Sequence, residues 1–208
     1  MAKRHLTITG LRTVFELRGL SCLPLVAVQP AKQGITCSRS FGEPVTSIEG
    51  LQEAVAAYAT RAAEKLRAQG SLCSVLTVFI TTKGFGRGPH YSNSYAVTFA
   101  EPTAYTPSLI RYAHRGLERI YRSGYRYRKA GVMLTAIQPD LVRQGYLFVE
   151  ADHEANSVLM ETVDALNRQW GRGTVFFGAS GTDRSWAMRQ EMTSPRYTTR
   201  WSEIPVVR

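Results

Sequence analysis

A chain of 208 residues, 44% of them hydrophobic, has room for one or two folded domains, which excludes a wholly disordered protein. Its net charge of +10 favours a polyanion as partner, the alternative being a protein that is basic without such a partner. Three cysteines without a CxxC pair and four scattered histidines argue against a disulfide framework and a metal site. The sequence contains no run of about 18 apolar residues, so no membrane span is predicted.

The hydrophobic pattern predicts one helix at 11–19, a linker around Pro24 and Pro30, and then six elements in a row. In chain order these are a strand at 34–45, a helix at 47–69, strands at 72–83 and 95–99, a helix at 106–123 and a strand at 125–137. Thr106 is the expected N-cap of the second of these helices. The β-α-β-β-α-β order predicts an α+β fold, in which a four-stranded antiparallel sheet carries both helices on one face and leaves the other face open.

An acidic connector and a second, smaller unit follow this pattern. The acidic side chains of the connector are Asp140, Glu150, Asp152, Glu154, Glu161 and Asp164, against Arg143 alone. A helix at about 158–169, a strand at 173–178 and a short helix near 184–192 are predicted beyond it. The sign of the charge therefore indicates a basic body, an acidic connector and a basic tail.

Basic and hydroxyl side chains of the predicted sheet are the candidate ligands for phosphate. Alternation along the last strand puts Arg126, Arg128 and Ala130 on one face, and Tyr127, Lys129 and Gly131 on the other. The full candidate DNA-binding set is Lys32, Ser38, Arg39, Ser40, Lys83, Arg87, Arg126, Arg128 and Lys129. The bland alternative for Ser38 and Ser40 is solvation of a turn or strand edge.

Four arginines of the second helix, at positions 111, 115, 119 and 122, form a further stripe on the face away from the core. The spacing is compatible with two interpretations: the arginines bind a polyanion, or they form a solvated outer face. No RNP-type aromatic motif lies on the strands, which disfavours a base-stacking RNA-recognition domain.

Catalytic chemistry has little support in the sequence. Two-metal phosphoryl transfer needs clustered carboxylates, and the first aspartate of the chain is Asp140. The glycine-rich stretch GFGRGPH lacks the Lys-Ser/Thr ending of a phosphate-binding loop, and no nucleophile–base constellation stands out. We therefore expect no catalytic residue, no metal ligand and no cofactor in this chain.

A short peptide in the connector has the features of a docking motif. Gln144, Leu147 and Phe148 form a QxxLF pattern that suits an apolar pocket on a partner. The alternative is that Leu147 and Phe148 pack into the core of the chain itself.

Several blocks of sequence resemble the UmuC-type translesion DNA polymerases of the Y family, the catalytic subunits of bacterial DNA polymerase V. These blocks are RTVFELRG at 12–19, KQGITCSRSFGEPV at 32–45, ATRAAEKLR at 59–67, YRKAGVML at 127–134, GRGT at 171–174 and SPRYTTRWSEI at 194–204. The resemblance implies a thumb remnant and linker at 1–32, a little-finger DNA-binding domain at 33–138, an acidic linker with a clamp-binding motif at 139–157, and a UmuC-type C-terminal domain at 158–208.

The same resemblance implies partners and a cellular role. The partners are primer-template DNA, the β sliding clamp through Gln144, Leu147 and Phe148, and further a UmuD-type dimer and RecA. The role is synthesis past damaged DNA in the SOS response, in the cytoplasm.

The departure from the family is the lack of counterparts to the fingers and palm domains. Magnesium would belong to the palm, so we expect this chain by itself to bind DNA without extending it. The alternatives are that it is one half of a split polymerase, or a non-catalytic competitor for the sliding clamp.

Overall fold

The computed structural model describes residues 2–25, 30–82, 89–140, 153–188 and 192–205, and it divides into two compact units, Met1–Ala31 and Lys32–Arg208. The first unit contains helix α1, Ala2–Leu17. Thr7 interrupts it with a φ of 59°, so two helical pieces meet at a kink. The helix predicted at 11–19 is the second of these pieces and ends two residues early, before Gly19.

The second unit contains the predicted β-α-β-β-α-β series, followed by one long helix. Its elements are β1 Ile35–Val45, α2 Ile48–Ala68, β2 Ser71–Thr82, β3 Ser92–Thr103, α3 Thr106–Ile120, β4 Tyr127–Pro139 and α4 His153–Trp170. The four strands form one antiparallel sheet in the order β1-β4-β2-β3. The α+β fold expected from the sequence is therefore confirmed.

Helices α2 and α3 pack side by side against one face of this sheet. The Ser47 side chain caps α2 by accepting a hydrogen bond from the Gly50 backbone N–H, 3.2 Å away. The apolar side chains along one face of α2 and along one face of α3 are buried, and they form one core with every second residue of β2 and β4. Gly116 permits the close approach of α3, because a Cβ there would lie 2.7 Å from Val78 Cγ1.

Two details of the predicted elements were wrong at the start and end of α3. Tyr105 is the N-cap residue, not Thr106, and no side chain caps the helix. The hydroxyl of Thr106 is fully buried and accepts a hydrogen bond from Arg67 Nη1 at 2.8 Å, so it is not free to cap. The helix ends at Ile120, because Tyr121 has an extended backbone.

The C-terminal segment, from α4 onward, packs on the sheet domain, which consists of the four strands with α2 and α3, through a few specific contacts. Arg67 of α2 forms a bidentate ion pair with Asp164 of α4. The Trp186 ring is buried and meets the Tyr58 ring edge to face, with 5.7 Å between centroids. The helix predicted at 158–169 is confirmed within the longer α4.

The other two elements predicted for this segment were wrong. Residues 173–177 form no strand, because the Asn167 side chain takes both the N–H and the C=O of Val175, at 3.0 and 2.9 Å. Residues 184–188 form turns, and Arg184 has a φ of 48°, which is incompatible with a helix. The remainder of the predicted helix includes residues 189–191, which lie outside the described residues.

Candidate nucleic-acid interface

The sheet face opposite the helices, here called the open face, is lined mainly by hydroxyl groups. Strand register aligns its side chains in rows across β1, β4, β2 and β3. The rows are Ser40–Lys129–Thr81–Ser92, Ser38–Gly131–Phe79–Ser94 and Thr36–Met133–Thr77–Ala96. Hydroxyl groups donate hydrogen bonds to phosphate and sugar oxygens without selecting a base, so this face suits a nucleic-acid backbone.

Positive charge lies at one end of the open face rather than across it. Lys129 is the cation of the three rows, and it lies near the start of β4. Arg126 is exposed and immediately precedes β4, and Arg128 is half-buried and is the second residue of β4. Lys129, Arg126 and Arg128 are thus brought to the same end of the sheet.

The alternation predicted for the start of β4 was wrong. Tyr127 is fully buried on the helix side, whereas Lys129 and Gly131 share the open face. Thr81 pairs with Lys129 and Thr82 with Tyr127, so Arg128 is one extra residue on β4 at this point. Such a bulge breaks the period of two, which strand periodicity alone does not reveal.

Arg39 is separated from Ser38 and Ser40, although the three are consecutive. In β1 it lies two residues from the buried Cys37 and Phe41, so the three side chains share the face on which α2 packs. Burial raises the pKa of Tyr58 in α2 from 10.0 to about 12, and the positive charge of Arg39 opposes that rise. Arg39 therefore lies along the helix side of the sheet edge, while Ser38 and Ser40 lie on the open face.

Lys32 is not brought together with the other candidate residues. Its backbone N–H donates to Gln69 Oε1 at 2.9 Å, and its C=O accepts from Gln69 Nε2 at 3.2 Å. Gln69 directly precedes β2, whereas Lys129 pairs with Thr81 near the far end of β2. Lys83, Arg87, Gln144, Leu147 and Phe148 lie outside the described residues.

Arg122 is a candidate that the sequence-based site set lacks. The Arg122 N–H donates to Tyr127 Oη, and Tyr127 Oη donates to the Arg122 C=O, each at 2.9 Å. The Arg122 guanidinium lies 4.9 Å from the centroid of the Tyr91 ring. Burial raises the pKa of Tyr127, so its hydroxyl stays protonated and keeps both hydrogen bonds.

These contacts hold the turn between α3 and β4 in one conformation, with Arg122 and Arg126 both exposed. Tyr91 Oη adds a hydrogen bond to the Ile120 C=O at 2.6 Å, at the end of α3. The alternating tyrosines and arginines of YRSGYRYR, residues 121–128, are the sequence signal for this braced basic turn.

Two further properties concern the whole of the described chain. Across residues 2–25, 30–82, 89–140, 153–188 and 192–205, no helix is both long and apolar enough to cross a membrane. Over the same ranges, no group of three or more His, Cys, Asp or Glu side chains is arranged to hold a metal ion.

Comparison with known proteins gives two family matches. Residues 32–147 match the impB/mucB/samB family C-terminal domain, which corresponds to the sheet domain and the start of the connector. Residues 157–207 match a "Domain of unknown function (DUF4113)", which corresponds to α4 and the tail.

Curated relatives are similar along nearly the whole chain. Protein UmuC of Salmonella typhimurium is 46% identical over 204 residues, which is 97% of this chain and 48% of that protein. Protein ImpB of Salmonella typhimurium is 44% identical over 208 residues, or 99% of this chain and 49% of that protein. Protein SamB of the same organism is 41% identical, with the same two shares. The chain therefore spans about half the length of the curated relatives it matches.

One solved structure, "Complex of beta-clamp processivity factor and little finger domain of PolIV", matches with a TM-score of 0.39 and 17% identity, covering 56% of this chain and 99% of that chain. The family assignment rests on the sequence matches instead. They confirm the resemblance seen in the sequence blocks, since the first family model alone spans more than half of the chain. The chain belongs to the impB/mucB/samB family of UmuC-type proteins.

Proposed function

We propose that this chain is the part of a UmuC-like translesion polymerase that binds damaged DNA and primer-template DNA in SOS repair. The observation that carries the proposal is the open face, where rows of mostly hydroxyl side chains include Lys129, with Arg126 and Arg128 at the same end of the sheet. The three rows contain no carboxylate that would repel a phosphate. Family membership supports the assignment, since Protein UmuC aligns with 97% of the chain.

The grip that this surface offers is on the DNA backbone. Serine and threonine hydroxyls contact phosphate and sugar oxygens of any sequence, and the cations at one end contribute most of the electrostatic free energy. A surface of this kind tolerates a damaged base, because it does not read the base edges. This tolerance is what synthesis across a lesion requires of a DNA-binding domain.

Binding of a primer-template duplex, measured by fluorescence anisotropy at two salt concentrations, tests the proposal. Neutralising three to four phosphates predicts that the logarithm of the affinity falls with the logarithm of salt with a slope of about −3. A primer-extension assay with magnesium and nucleotides is run beside it, and we expect no extension by these residues alone. An affinity that does not change with salt would contradict the phosphate grip.

We further propose that the connector peptide docks on the β sliding clamp. Gln144, Leu147 and Phe148 follow β4, which ends at Pro139, and precede α4, which begins at His153. A peptide between two folded elements can present Leu and Phe to an apolar pocket without unfolding either element.

Replacing Leu147 and Phe148 together by alanine is expected to abolish clamp binding in a surface-plasmon-resonance assay. Affinity for primer-template DNA and the melting temperature should stay at the values of the unchanged chain, because the peptide lies outside the sheet domain. The paired substitution Val158→Ala with Leu159→Ala is a matched control, since both side chains are exposed on α4. A large drop in melting temperature for the first variant would show that Leu147 and Phe148 belong to the core.

The remaining partners extend the same proposal. A UmuD-type dimer and RecA are partners expected from the family, in the cytoplasm, and the tail from α4 onward is the segment we assign to them. A half of a split polymerase, or a competitor for the clamp, would use the same two binding surfaces. Both alternatives are compatible with DNA binding in the absence of primer extension.

A further inference from the structure

Phe79 lies at the centre of the open face and has no role in the core. It belongs to β2, an inner strand of the sheet, and its row neighbours are Gly131 of β4 and Ser94 of β3. Its ring is half-buried, yet it is neither part of the hydrophobic core nor packed against it. Packing of the core therefore does not explain why an aromatic side chain occupies this position.

The ring lies across the sheet instead of standing away from it. A Cβ on Gly131 would overlap Phe79 Cζ and would lie 2.8 Å from Phe79 Cε1, so the tip of the ring sits directly over Gly131. Neighbouring strands are about 4.8 Å apart, which is close to the length of a phenylalanine side chain from Cβ to Cζ. The ring therefore reaches across the gap between β2 and β4, and because Phe79 is only half-buried, part of the ring is open to solvent.

The surroundings of the ring suit a nucleotide. Ser38 lies beyond Gly131 in the same row, Ser94 lies on the other side, and Lys129 is one row away. A base stacked on Phe79 would place its sugar and phosphate within the reach of hydroxyl and ammonium donors. Phe79, together with Met133 and Ala96 of the neighbouring row, is too small an apolar patch for a protein partner, since specific protein interfaces bury about 1,200–2,000 Å².

We infer that Phe79 is a stacking platform for one unpaired base of single-stranded template DNA next to the primer-template junction, an inference that rests on the proposed function. Inside a duplex, each base has neighbours on both flat sides, so an aromatic ring on the protein surface stacks on a base that has left the stack. Stacking on an aromatic ring accepts every base, which agrees with a backbone grip that ignores sequence.

The test compares two substrates, a duplex with a single-stranded template overhang and a blunt duplex of equal length. Phe79→Leu in the full chain is expected to weaken binding of the overhang substrate on the order of tenfold and to leave the blunt duplex unchanged. Phe79→Trp should keep the preference for the overhang, and its added tryptophan fluorescence should be quenched by that substrate only. Tyr95→Leu is the matched control and should behave as the unchanged chain, because Tyr95 is an exposed aromatic residue of β3 that lies on the helix side of the sheet, where it pairs with the buried Val78.

A second measurement guards against loss of folding. Urea unfolding of Phe79→Leu is expected to give a midpoint close to that of the unchanged chain, so that a selective loss of overhang binding is measured on an intact sheet. If Phe79→Leu weakens both substrates equally, the ring supports only the fold of the sheet and the inference is overturned. If salt-sensitive binding persists with no effect of Phe79→Leu, the inference fails and the proposed function stands. Absence of binding by the unchanged chain would overturn the proposed function as well.

Discussion

Replacing Arg126, Arg128 and Lys129 together by glutamine is expected to lower the affinity for primer-template DNA about 100-fold at low salt. These three cations lie at the end of the open face where β4 begins, and glutamine keeps most of the aliphatic stem while it removes the charge. Each phosphate contact that is lost reduces the salt slope by about one, so the slope should flatten by about three. Anisotropy titrations at several salt concentrations give both quantities, and clamp binding serves as a readout that should not change.

The chain offers a control of equal charge for this experiment. Arg111, Arg115 and Arg119 are exposed on α3, on the other side of the domain from the open face. Their replacement by glutamine removes the same net charge. We expect less than a threefold change in affinity at about 0.15 M salt, because salt largely screens exposed charges that lie more than about 8 Å from the bound DNA. Equal losses for the two triple variants would mean that overall charge, and not the open face, determines DNA binding.

Arg67→Ala is expected to lower the free energy of unfolding by about 2–4 kcal/mol. Arg67 donates to both carboxylate oxygens of Asp164, at 2.7 and 2.8 Å, and also to the Ala104 C=O and Thr106 Oγ1, each at 2.8 Å. The Arg67 and Asp164 side chains are only 14% and 19% exposed, so removing one partner leaves poorly solvated groups without their hydrogen bonds. Arg67→Lys should restore less than half of the loss, because an ammonium group cannot make this set of planar contacts.

Urea unfolding measures the effect of Arg67→Ala, and hydrogen exchange shows where it acts. Backbone amides of α4 should exchange faster in the variant, since the ion pair joins α4 to α2. Arg61→Ala is the matched control on the same helix, because Arg61 pairs with Glu64 one turn away and is 36% exposed. Its loss should cost at most about 0.5 kcal/mol. Similar costs for Arg61→Ala and Arg67→Ala would contradict the claim that this contact anchors α4.

Local patterns were sufficient for most of the elements. Helices α2 and α3 and the four strands depend on the types and spacing of residues within a few positions of one another, so local patterns predict them. The order of these elements leaves few compact arrangements, and the antiparallel sheet follows from it. Family membership, too, was visible in the sequence blocks, because several of them are long.

The placement of the site depended on contacts between distant parts of the chain. One extra residue at Arg128 shifts the register of β4 and sends Tyr127 into the core, and only the pairing with β2 shows this. In the same way, the predicted strand at 173–178 is prevented by the side chain of Asn167, which takes the backbone partners a strand would need.

The sequence by itself determined the elements of the sheet domain, their order, the family and the basic character of the chain, because these follow from local spacing and composition. Only the tertiary structure decided which face each side chain occupies: Lys129 and Phe79 on the open face, Arg39 on the helix side, and Arg122 in a turn braced by tyrosines. The physical reason is that a side chain's face is set by strand register and by packing between residues far apart in sequence, and a shift of one residue reverses it.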